Sequence, residues 1–85
     1  MREVTFDLMG KGDGSLPKAI ATVGAAGVQL TRAASMSFPV RKAQVSVNGT
    51  DPAIDAAYEA LVNTFPGVTV NVREKEFPWH WEDKK

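Results

Sequence analysis

The chain has no cysteine, which excludes disulfides, thiol catalysis and zinc–thiolate sites. Its one histidine is His80, and a lone imidazole lacks the cluster of ligands that a metal site needs. An excess of charge of either sign is missing too: lysine plus arginine number 10, and aspartate plus glutamate number 10. That balance leaves no electrostatic footprint for nucleic acid or for an acidic membrane surface. It also leaves little repulsion to oppose self-association. No apolar run could span a bilayer, and the start MREVTFDLMG lacks the apolar stretch of a signal peptide. The expectation is a cytoplasmic protein without nucleic-acid or membrane partners.

The 85 residues suffice for one domain. A domain of this size buries only about 60–65% of its unfolded surface, so burial against a second subunit would add stability. Within it, the stretch Gly14–Leu30, GSLPKAIATVGAAGVQL, organises the rest. Gly14 supplies a turn, Ser15 is a candidate N-cap, and Pro17 falls in the first helical turn, where its missing N–H costs nothing. Leu16, Ala19, Ile20 and Val23 recur on one helical face. Gly27 stands where a left-handed residue would end the helix.

Around this helix the periodicity is that of strands. Arg2–Met9 alternates, with Val4, Phe6 and Leu8 on one face and Thr5, Asp7 and Met9 on the other. Val28 to Met36 reads as a second strand, in which strict alternation puts Val28, Leu30, Arg32, Ala34 and Met36 together. Ser37-Phe38-Pro39 connects it to a third strand, Val40–Asn48, with Ala43, Val45 and Val47 facing inward; Pro39 disfavours a central strand position. Asp51 is a candidate N-cap for a second helix, with Pro52 at its first position. Ile54, Ala57, Tyr58, Leu61, Val62 and Phe65 form the apolar face of that helix. Pro66-Gly67 stops it, and Val68, Val70 and Val72 alternate in a fourth strand that can extend to Glu76.

The order β-α-β-β-α-β predicts an α+β, ferredoxin-like fold: a four-stranded antiparallel sheet with two helices on one face. Right-handed crossovers put strands one and three at its centre. The other face would then carry Thr5, Asp7, Gln29, Thr31, Ser35, Gln44, Ser46, Thr69 and Asn71. Residues 1–76 make the domain, and residues 77–85 an aromatic and charged tail.

Few residues invite a chemical reading. Gly10-Lys11-Gly12-Asp13-Gly14 is glycine-rich, but no Gly-Lys-Ser/Thr follows and the GxGxxG spacing is unmet. Turn geometry and close backbone approach explain it better than phosphate binding. Arg32, on the nominally apolar face of its strand, marks a strand end, a bulge or a carboxylate contact, or else snorkels to water. Tyr58 reads as a packed ring with a wet hydroxyl. His80, between Trp79 and Trp81 and before Glu82 and Asp83, is a general base or ligand in one reading and a structural residue in the other. The two tryptophans could line an aromatic ligand box, cover the open sheet face or pack on another subunit.

Gly14-Ser15-Leu16, a helix, then Gly27-Val28-Gln29-Leu30 resembles the ACT domain, whose pattern is a glycine closing the β1–α1 loop and a second one thirteen positions on, opening a run of the type Gly-aliphatic-x-aliphatic. Asp13 stands where that family commonly has proline. The likeness covers residues 2–76 and implies a stand-alone regulatory module, a homodimer or higher homo-oligomer, that binds an amino acid or related carboxylate between two domains. It further implies a ligand site at Gly12, Asp13, Gly14, Ser15 and Leu16, faced across the partner by Val28, Gln29 and Leu30. Free amides at a helix N-terminus favour a carboxylate, and Asp13 could meet an ammonium. No catalytic residue, metal or cofactor is assigned. Two other functions stay open: a small enzyme with a pocket between sheet and tail, lined by Asp7, His80 and the tryptophans, or a structural subunit docking through Phe77–Trp81.

Overall fold

Alternation in the first strand and helical period in the second helix are the strongest patterns in the chain, and both are realised. In the computed structural model, which describes residues 2–38 and 40–74, the elements are β1 (Arg2–Met9), a 3-10 turn (Asp13–Ser15), α1 (Leu16–Ala25), β2 (Gln29–Met36), β3 (Lys42–Gly49), α2 (Asp51–Thr64) and β4 (Val70–Glu74). All neighbouring strands run antiparallel in the order β2-β3-β1-β4, with β1 and β3 central. Pro39 and the Phe77–Trp81 segment, with His80, Glu82 and Asp83, lie outside the described residues.

Val4, Phe6 and Leu8 of β1 and Ala43, Val45 and Val47 of β3 point to the same face, where both helices cover them. Ala19 and Val23 come down from α1, and Ile54, Ala57 and Leu61 from α2, with Val28 and Phe65 closing the ends. The result is an α+β domain with one core between one sheet face and two helices. Among the described residues, no helix is long and apolar enough to cross a membrane.

Local chemistry departs from expectation at four points. Ser15 precedes α1 but makes no capping hydrogen bond with its side chain. The preceding 3-10 turn gives it helical φ and ψ of −91° and −13°, whereas a capping side chain works from extended backbone. At α2 the cap is Thr50, not Asp51: its hydroxyl accepts from the Ala53 amide at 3.4 Å, while Asp51 is the first helical residue and pairs with Arg2 at 2.8 Å. Gly14 needs no left-handed backbone; Gly10 at φ +85° and Gly27 at φ +91° do. Tyr58 sits on the flank of α2 and is exposed, with only its ring leaning toward Phe6.

The largest departure is in β2. The ladder runs Leu30 to Val47, then Arg32 to Ser46, so Thr31 is an extra residue. Such a bulge shifts every later side chain to the opposite face. Ala33 and Ser35 therefore pair with Val45 and Ala43 on the helix side. Arg32, Ala34 and Met36 join Ser46, Gln44 and Lys42 on the open side. Strict alternation would have driven the Arg32 guanidinium into the core beneath α1; the bulge resolves that conflict. Ser35 thus leaves the expected open-face set, and Arg32 enters it.

Candidate functional site

The end of the sheet where β1 leaves for α1 is built by the glycine turn. Gly10, in its left-handed conformation, donates its N–H to the Arg41 carbonyl at 2.8 Å, and the Ser15 N–H reaches the Gly12 carbonyl at 3.0 Å. The first bond ties the β1–α1 loop to the residue that leads into β3, and the second closes the loop on itself. Over the loop lies the Arg41 side chain. A Cβ on Gly12 would come within 3.1 Å of its Nη2 and 3.2 Å of its Nε, so the guanidinium rests on the glycine. Opposite, the Ser35 hydroxyl donates to the Asp13 carboxylate, a contact that the β2 bulge makes possible by turning Ser35 to the helix side.

Gly12, Asp13, Ser35, Met36, Ser37 and Arg41 line an open cleft of about 380 Å³. Its lining offers one guanidinium, one carboxylate and two hydroxyls. A guanidinium presents a rigid fork of donors to a carboxylate, and a carboxylate accepts from an ammonium. Such a lining is matched to a small ligand that carries both charges.

Of the residues singled out in the sequence, Gly12 and Asp13 line this pocket, and Gly14 and Ser15 complete the 3-10 turn beside it. Leu16 opens α1 and packs against the core. Val28 is buried next to Gly49, and Gln29 and Leu30 are exposed. These three lie at or just before the far end of β2, roughly 20–26 Å along the strand from Met36 at ~3.3 Å per residue. One chain does not bring the two halves together. Sequence reasoning missed Ser35, Ser37 and Arg41. Only the β2–β3 hairpin carries them to the glycine loop, and the one available signal was a basic pair, Arg41-Lys42, just past the hairpin connection.

A second polar cluster occupies the open sheet face. Asp7 is only 3% exposed, yet it is fully engaged. Gln44 Nε2 donates to it at 2.9 Å, Arg73 through Nε at 2.9 Å and Nη2 at 3.3 Å, and Lys42 Nζ at 3.4 Å. Burial alone pushes the carboxyl's pKa up, but the hydrogen bonds from Gln44 and Arg73 and the charges of Arg73 and Lys42 outweigh it and hold it below its ordinary value. A carboxylate so engaged is a poor proton acceptor, which argues against a general-base role. Beside it, the Thr5 and Ser46 hydroxyls bond at 2.8 Å. The Thr31 hydroxyl lies 3.0 Å from the Glu3 carboxylate and 3.1 Å from the Ser46 carbonyl. Among the described residues, no group of three or more metal-ligating side chains is present.

No family model matches this chain, and no curated protein matches it at a significant level.

Proposed function

We propose that the chain is an ACT-like regulatory module of ferredoxin-like fold that binds an amino acid or related carboxylate at the β1–α1 loop. The observation that carries this reading is the loop pocket, with the Arg41 guanidinium resting on Gly12 and the Asp13 carboxylate in the same lining. Arg41 takes the ligand carboxylate and Asp13 its ammonium, with the Ser35 and Ser37 hydroxyls filling the remaining positions. The strand order, β4-β1-β3-β2 when counted from the other edge, supports the ferredoxin-like assignment. In the dimer, the exposed Gln29 and Leu30 of the partner, which follow its buried Val28, complete the site. Ligand then regulates by favouring the assembly that holds both halves, since only a difference in affinity between two states can shift them.

A two-dimensional amide NMR titration with a panel of amino acids and related carboxylates tests this. Shifts concentrated at Gly12–Ser15 and Arg41 are expected, with a second set at Val28–Leu30 from the partner. Silence at both across the panel would sink amino-acid binding. For any ligand found, Arg41→Gln should weaken binding by about ten- to a hundredfold, the worth of a hydrogen bond to a charged group. Gly12→Ala should weaken it too without unfolding the chain: φ at Gly12 is −125°, open to any residue, and only the flexible end of Arg41 must move aside.

A further inference from the structure

The described residues leave apolar side chains exposed along the β4 edge of the fold. Helix α2 buries Ile54, Ala57 and Leu61. On one flank of that stripe Ala53 lies against Gly49 and near Val28, toward α1. With 3.6 residues per turn, Tyr58 and Val62 project from the opposite flank, toward β4. The Tyr58 ring stands 6.5 Å from that of Phe6, and Phe6 pairs with Val72 in β4. Tyr58, Val62 and Val72 are 38%, 39% and 46% exposed. All three flank the junction of α2 with the edge strand, and exposed apolar surface of this kind marks a docking position.

The chain itself supplies an occupant. β4 ends at Glu74, opposite Val4, at the end of the sheet where Arg2 meets Asp51 at the start of α2. The described chain therefore ends beside one end of that junction, and residues 75–85 are long enough to span roughly 36 Å when extended. Tyr58 and Val62 lie only about 10 and 16 Å along α2 from its first residue, at ~1.5 Å per residue. Phe77, Trp79 and Trp81 alternate, so an extended segment presents all three to one side. Pro78 lacks the N–H needed to continue a ladder on β4. The open sheet face offers these rings a polar surface whose central carboxylate is already engaged by Gln44, Arg73 and Lys42. We propose that Phe77, Trp79 and Trp81 of the chain's own C-terminal segment pack into the strip formed by Tyr58, Val62 and Val72 and close the β4 edge of the core.

Both tryptophans of the protein lie in this segment, so tryptophan emission reports on it alone. In the full chain under native conditions, emission should be blue-shifted relative to free N-acetyltryptophanamide and severalfold less quenched by acrylamide. Val62→Glu and Val72→Glu, with far-UV circular dichroism unchanged, should return both readings to the free-indole values. NOEs from the Val62 and Val72 methyls to indole protons in the wild-type chain provide a test that needs no variant. Native emission equal to that of free indole, missing NOEs, or a blue shift that survives both substitutions overturns the proposal. A shift that appears only as concentration rises, together with a doubled mass in sedimentation, also overturns it, in favour of a second copy on the strip.

Discussion

Phe6→Ala should remove a large part of the stability of the fold. Phe6 is fully buried in a central strand, flanked by Val45 on β3 and Val72 on β4. Truncating a buried phenylalanine costs about 3–5 kcal/mol, the lost transfer energy plus the cavity left behind. A chain of 85 residues has a total of about 4–13 kcal/mol at 0.05–0.15 kcal/mol per residue. The loss is therefore a large part of the whole. At roughly 4–8 °C per kcal/mol for a small domain, the thermal midpoint should fall by at least about 12 °C, if a cooperative transition survives at all. Phe38→Ala is the control: the ring is 86% exposed, and a surface change of this kind should stay within about 0.5 kcal/mol. Circular-dichroism melts of the two variants beside the wild type decide the matter, and equal midpoints would mean that the core is not centred on β1.

The same contrast explains which parts of the architecture were legible in the sequence. β1 and β3 alternate without interruption because each keeps one face against the helices from end to end. Alternation alone therefore assigns Val4, Phe6 and Leu8 to the core, and likewise Ala43, Val45 and Val47. The helical face read for α2 was legible in its centre, where Ile54, Ala57, Leu61 and Phe65 are buried, but Tyr58 and Val62, read as part of the same face, lie on its exposed flank. β2 was less plain. Its residues from Gln29 to Met36 are mostly small or polar, so hydrophobic alternation constrains the register weakly. The Thr31 bulge left only one trace, an arginine on what should have been an apolar face. Capping was legible to within one residue: Thr50 and Asp51 are both good cap residues, and Pro52 is compatible with either.

The candidate site was half legible for a related reason. A glycine turn ahead of a helix announces itself in the sequence, and the ACT resemblance pointed to Gly12 and Asp13 there, which line the loop pocket. Arg41, Ser35 and Ser37 reach the loop only through the pairing of β2 with β3, and the side on which Ser35 stands depends on the bulge. A shift of one residue in β2 would point Ser35 to the open face and take its hydroxyl away from Asp13. The bulge thus serves two ends: it keeps Arg32 out of the core and delivers a hydroxyl to the pocket.

On the open face, charge and not packing should govern stability, and Asp7 is where this shows. Asp7→Asn keeps the shape but replaces a carboxylate that receives four donor atoms with an amide that turns a donor of its own toward them. Breaking a fully buried pair costs about 3–5 kcal/mol. Here the Arg73 side chain is 54% exposed, so water compensates part of the loss, and about 1–3 kcal/mol at pH 7 is the expected effect. The pH dependence follows from the direction of the shift. Because the folded-state pKa of Asp7 is held below its ordinary value of 3.8, the unfolded chain takes up the proton more readily. The carboxylate's contribution is thus complete well above 3.8 and drains away as the pH falls through the lower folded-state value. The amide of the Asp7→Asn variant carries no such titration, so the stability gap between wild type and variant should be constant from about pH 7 to about pH 5 and close below 3.8. Urea unfolding of both chains across that range measures the gap, and other carboxylates cancel in the difference. A gap that persists undiminished at the acid end would show that shape at this position, and not the ionised carboxylate, organises Arg73, Lys42 and Gln44.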